Sequence, residues 1–140
     1  MWKPRQRALI NDFCIIAGIP DSLELILNTG TLTCQGIPVT LLSGISENSL
    51  AIYVQLGQPD PSQITTIYRR LLELNLLITH KHGEHLAIDP ESGAAVYGFE
   101  LAFSTAEQLW ISLQRATAQA IEWRSTFFLL EELLLEYLGS

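Results

Sequence analysis

Hydrophobic positions change period several times along this chain, and each change marks an element. In residues 5–18, Leu9, Ile10, Phe13, Cys14 and Ala17 recur at helical spacing, with Arg5, Gln6 and Asn11 on the other side. Pro4 suits a helix start, and Gly18 with Pro20 ends the run. Residues 23–56 then read as strands. Asn28-Thr29-Gly30 is a turn signal between LELIL and TLTCQ, Gln35-Gly36 is a second reversal, and Ser43-Gly44 with residues 46–49 makes a third. LAIYVQLG alternates strictly: Leu50, Ile52, Val54 and Leu56 face one way, Ala51, Tyr53 and Gln55 the other. That pattern predicts an antiparallel sheet against a layer of helices. The second face carries Tyr53 and Ala51, which hints at cover on both sides.

The second half begins with a loop from Gly57 to Pro61, where Asp60 or Ser62 is placed to cap a helix. In that helix Ile64, Ile67, Tyr68, Leu71 and Leu72 form a stripe, with Arg69, Arg70 and Glu73 on the solvated side. Leu74, Leu76, Leu77 and Ile78 make its end apolar all round, so it is buried deeply or buried twice, in its own core and in a copy of itself. HKHGEHLAID reads as a turn and strand, PESG as a second turn, and AAVYGFELA as another strand. Gly98 in mid-strand marks a close backbone approach or a kink. Residues 104–126 form the last long helix, with Ser104 or Thr105 as cap and Glu107 or Gln108 at the capping-box position. Its stripe is Leu109, Leu113, Ala116, Ala120 and Trp123, widened by Trp110, Thr117 and Ile121. The predicted class is α+β in the order α-β-β-β-α-β-β-α, an antiparallel sheet packed with helices, with residues 1–140 as one domain. FFLLEELLLEYL, residues 127–138, is expected as an apolar C-terminal helix extension that packs or faces a partner. It is about half a membrane span and carries Glu131, Glu132 and Glu136.

Composition narrows the function. The chain is 48% hydrophobic and 16% charged, which fills a core and leaves apolar surface over, unlike a disordered chain. A net charge of −7 repels phosphate backbones, so no nucleic-acid partner is expected. The same charge suits a soluble protein holding a basic or aggregation-prone client. MWKPRQR leads into a patterned segment and not into a continuous apolar core, so no secretory leader and no membrane insertion are expected. Cys14 and Cys34 lie outside any CxxC or Cys/His spacing and read as small buried hydrophobes of a reducing compartment.

Catalytic candidates are few. His80, His82 and His85 cluster within six residues, yet lack the converging acidic or thiolate partners of a metal site and read as a polar hairpin tip. Asp89 with Glu91, Glu131 with Glu132 and Asp12 with Asp21 are the carboxylate pairs; the first belongs to turn chemistry and the second edges a greasy helix. Neither a nucleophile elbow nor a phosphate-cradling glycine loop is present in the sequence. The expectation is therefore no metal, no cofactor and no enzymatic activity. Among the aromatics, Tyr53 on the less apolar strand face is the first candidate for contact with a ligand.

IYRRLLELNLL, the strand-turn-strand LAIDPESGAAVYGFEL, and the long helix ending near AIEWR resemble the class I type III secretion chaperones, the family of the Tir chaperone. IPVTLLSG and LAIYVQLG agree with that family's strands, and the likeness runs from about residue 5 to 125. The resemblance implies a cytoplasmic homodimer without catalysis that binds the N-terminal segment of a secreted effector. It implies that this segment wraps the dimer in extended form and stays soluble and secretion-competent. By the family pattern, the dimer forms through the second helix and last strand, here Leu71, Leu74, Leu77, Ala95, Tyr97 and Phe99. Client grooves involve the first helix and first strands, here Ile10, Phe13, Val39, Leu41, Tyr53 and Val54. The alternatives are a small α/β dimer that scaffolds other protein partners and a metal-dependent enzyme built on the three histidines.

Overall fold

The structure, a computed structural model, describes residues 2–82 and 84–126, the side chains of 77–82 and 126 excepted. Helix α1 (Pro4–Ile16) leads through a short turn at Pro20–Ser22 into α2 (Leu23–Thr29). Strands β1 (Thr31–Cys34), β2 (Ile37–Ser43) and β3 (Ser49–Gly57) follow, then α3 (Ile64–His82), β4 (His85–Ile88), β5 (Ala95–Ala102) and α4 (Ala106–Thr126). The strands form one five-stranded antiparallel sheet in the order β1-β2-β3-β5-β4. The α+β class is as expected; the predicted C-terminal extension at 127–138 lies outside the described residues.

One element differs. LELIL is not a strand but the body of α2, so a fourth helix precedes the sheet. Its pattern is helical: Ile26 and Leu27 are buried while Glu24 and Leu25 are exposed. Gly30 closes it in a left-handed conformation, φ 74°, with its N–H on Ile26 O at 2.7 Å. Asn-Thr-Gly suits a hairpin turn and a helix C-terminus equally well. The next signal is unambiguous: Gln35 and Gly36 both have positive φ, at 54° and 78°, the two-residue turn that suits a right-twisted hairpin.

The core lies on one face of the sheet. Leu50, Ile52, Val54 and Leu56 of β3 are fully buried, as the alternation predicts. The register sets Val39 and Leu41 of β2 beside them on one side, and Tyr97 and Phe99 of β5 on the other. Helix α4 closes this layer with Leu109, Leu113, Ala116, Ala120 and Trp123, all buried. Edge-to-face ring pairs fix its position: Trp123 on Tyr97 at 5.4 Å and Trp110 on Phe13 of α1 at 5.8 Å. The predicted cap of α4 forms, with Gln108 N–H donating to Thr105 Oγ1 at 3.2 Å. Helix α3 adds Ile67, Leu71 and Leu74 to the same core.

Gln6 reverses a second expectation. It is not solvated but fully buried, 0% exposed. Its amide donates to Ser46 O at 3.1 Å and Ser49 O at 3.0 Å, and accepts from Lys3 N–H at 2.9 Å and Ser43 Oγ at 2.8 Å. Both donors and both acceptors are satisfied, so the side chain pins α1 to the β2–β3 turn without an orphaned polar atom.

Candidate partner-binding surfaces

The structure places five of the six residues assigned to client contact inside the protomer. Ile10, Phe13, Val39, Leu41 and Val54 are each 1% exposed or less. Tyr53 alone stays half-buried, on the other face of the sheet. The residues assigned to the dimer behave alike: Leu71, Leu74, Ala95, Tyr97 and Phe99 all belong to the core, and the side chain of Leu77 lies outside the described residues. The physical reason is common to both sets. A period-two or helical stripe picks out the face that a chain turns toward its own interior, and these residues are that face. In the folded protomer, a partner would meet the apolar residues beside them.

Those neighbours form distinct patches. On α3, Leu72 and Leu76 lie one turn apart and are 73% and 69% exposed, while Leu71 and Leu74 face inward. Helix α3 is therefore apolar on two sides. Near the end of α1, Ile15 and Ile16 are exposed, as is Leu25 of α2. Isolated exposed leucines are ordinary, but repeated ones on one helix flank beside a completed core are surface left for a second contact. The apolar-all-round end of α3 was the sequence signal for Leu76; nothing in the sequence singled out Ile15 or Leu25.

The second sheet face is the other candidate. Ala51, Tyr53 and Gln55 of β3 are half-buried there, Leu42 of β2 and Ala87 of β4 exposed. At its centre Tyr53 and His85 meet edge to face, 5.5 Å apart, over Gly98, which is in register with both. A Cβ on Gly98 would stand 2.7 Å from His85 Nε2 and from Tyr53 Cε1, so the rings pack on bare backbone. This is the close approach expected at that glycine.

Both outer strands carry a local cap. Leu86 N–H of β4 donates to Asn75 Oδ1 of α3 at 2.9 Å. Thr31 N–H of β1 donates to Thr29 Oγ1 at 3.3 Å, in an exposed position. The β1 edge is thus the less firmly closed.

Chemical groups are sparse. Among the described residues, no cluster of three or more His, Cys, Asp and Glu could hold a metal ion. His85 contacts Tyr53, while the side chains of His80 and His82 lie outside the described residues. Cys14 and Cys34 are buried free thiols, and burial pushes the Cys14 pKa up. Asp89 accepts from Glu91 N–H and Ser92 Oγ, both at 3.0 Å, which is turn chemistry. No described helix is long and apolar enough to cross a membrane.

A finished core with leucines and isoleucines still bare beside it defines a protein-binding module. The chain belongs to the Tir chaperone protein (CesT) family, whose pattern matches residues 8–124. Solved structures share the fold, among them the two that follow. A chain of the ExsC–ExsE complex has 16% identity and a TM-score of 0.67, over 89% of this chain and 96% of that one. A chain of the HopA1–SchA chaperone–effector complex has 17% identity and a TM-score of 0.51, over 89% and 93%. No curated protein matches the sequence.

Proposed function

We propose that this chain is a cytoplasmic, non-enzymatic chaperone that binds, as a homodimer, the N-terminal segment of a type III secreted effector. The observation that carries this reading is the family match over residues 8–124. The HopA1–SchA structure, a chaperone–effector complex of the same fold, supports it. Residues 1–140 act as one domain in this reading, with no cofactor and no metal. Nucleic acid and membrane insertion play no part.

The surfaces divide the work. Leu72 and Leu76 of α3 supply the dimer contact, in place of the inward-facing Leu71 and Leu74. Full burial of one such side chain contributes about 1.5–3 kcal/mol, and a two-fold axis doubles every contact. Ile15, Ile16 and Leu25, with Tyr53 on the sheet, offer apolar contacts for an extended client. Backbone pairing is expected at β1, where the Thr29 cap is longer than the Asn75 cap on β4. An extended segment gives up much conformational freedom on binding, so it needs contact spread over a large area.

Co-expression with the first hundred or so residues of candidate effectors, followed by affinity purification and light scattering, tests the proposal. A stable complex of two chains of this protein with one client segment is expected. A monomer that captures none of those segments would refute it.

A further inference from the structure

The β2–β3 turn, the end of β5 and the start of β3 border an open surface pocket of about 410 Å³ lined by Ile45, Ser46, Ser49, Glu100, Leu101 and Ala102. Its lining mixes apolar and polar groups. Ile45 stands 87% exposed, and Ala102, in register with Ser49 on the sheet face that Glu100 shares, is exposed as well. The polar lining includes the Glu100 carboxylate. Its Oε1 accepts from Ile45 N–H at 2.6 Å and from Ser49 Oγ at 3.3 Å, while Oε2 has no partner among the described residues.

This carboxylate is held in place and not merely present. Gly44 makes room for it: a Cβ there would collide with Ser49 Oγ and stand 2.5 Å from Glu100 Oε1. Beneath, the buried Gln6 amide fixes the carbonyls of Ser46 and Ser49, so the turn carrying Ile45 is braced from α1. The two cations that reach this turn are engaged elsewhere, Lys3 Nζ on Ile45 O at 3.0 Å and Arg5 on Glu47 at 3.7 Å. An oriented carboxylate with one open oxygen, beside the exposed Ile45 and Ala102, on a protein of net charge −7, is complementary to a cation on an apolar stem.

We propose that this pocket receives an arginine side chain from an extended partner segment, its guanidinium on Glu100 Oε2 and its methylenes against Ile45 and Ala102. Arginine fits better than lysine because its guanidinium is more weakly hydrated and its planar donors suit a carboxylate edge. The source of the segment, a bound client, rests on the chaperone reading; the pocket chemistry does not.

The test uses the full isotope-labelled chain and a blocked five-residue peptide with arginine between two leucines, followed by amide chemical shifts. Saturable shifts at Ile45, Ser46, Ser49 and Leu101 are expected. A peptide with citrulline, the neutral isostere, is expected to bind about fivefold or more weakly, in keeping with the loss of a charge-assisted pair. Glu100→Gln keeps an acceptor oxygen for Ile45 N–H and Ser49, so the turn stays folded while arginine loses the same advantage. Ile45→Ser, at an exposed position, removes one apolar contact and weakens binding of both peptides. Equal binding of the arginine and citrulline peptides, indifference to Glu100→Gln, or no saturable shift at those amides would overturn the proposal. If the arginine peptide binds here while effector segments are not captured, the pocket stands and the chaperone reading falls. If segments are captured and the peptide does not bind, the reverse holds.

Discussion

Helices α3 and α4 have similar lengths, 19 and 21 residues, and each lays an apolar stripe on the sheet, yet they finish folding in different states. In α4 the stripe of Leu109, Leu113, Ala116, Ala120 and Trp123 is consumed by the core, and its exposed Ile111 and Ile121 stand apart, ten residues from each other. In α3 the inward Ile67, Leu71 and Leu74 are matched by Leu72 and Leu76 on an outer flank. One helix has its apolar stripe covered within the protomer; the other keeps two leucines exposed on its outer flank. Helical periodicity alone does not separate these cases. The width of the apolar arc does, since an arc broader than one packing interface requires two.

Several substitutions press on that contrast. The largest effect is expected inside both helices. Trp123→Ala is expected to cost about 3–5 kcal/mol and Leu74→Ala about 2–5 kcal/mol, read from urea midpoints, because each leaves a cavity in a closed core. Next comes the outer flank: Leu72→Asp with Leu76→Asp is expected to weaken self-association by about 100-fold or more while leaving far-UV circular dichroism unchanged. The matching pair on α4, Ile111→Asp with Ile121→Asp, is expected to leave association alone. If sedimentation shows both double variants equally dimeric, the distinction between the helices collapses.

Away from both helices, Gln6→Leu is expected to lower stability by about 1–3 kcal/mol, because it takes the acceptor away from Lys3 N–H and Ser43 Oγ and removes the amide bonds that brace the turn. The smallest effect lies just before α3. Asp60 accepts from Ser62 N–H at 3.0 Å and Ser62 Oγ at 2.9 Å, and these bonds hold its pKa below the ordinary 3.8. A lowered folded-state pKa stabilises the protein above the unfolded value, and the contribution fades as pH falls through the folded one. Wild type is therefore expected to lose slightly more stability than Asp60→Asn as the pH drops below 3.8, in parallel urea titrations. Identical acid profiles would remove any role for this cap.

What the sequence disclosed follows the range of the interactions involved. The alternation of Leu50, Ile52, Val54 and Leu56, the reversal at Gln35-Gly36 and the stripe of α4 depend on near neighbours, and each element stands where those signals put it. LELIL was misread because Asn28-Thr29-Gly30 fits two local structures and only the packing of Ile26 and Leu27 decides between them. Gln6 was misread because its partners Ser43, Ser46 and Ser49 lie 37 to 43 residues away. The candidate surfaces were the least legible. Hydrophobic pattern ranks residues by their fitness for an interior, so it selected Phe13, Val54 and Leu74 before Ile15, Leu72 or Leu25. Exposure after folding, which defines a docking surface, is a property of the whole arrangement.

Asn75 carries a consequence for behaviour at high concentration. By placing its side-chain oxygen on Leu86 N–H, it denies that backbone donor to any strand arriving from outside. A sheet margin left bare would invite copy after copy to stack into ribbons. One amide thus keeps this margin of the sheet from seeding an open-ended stack.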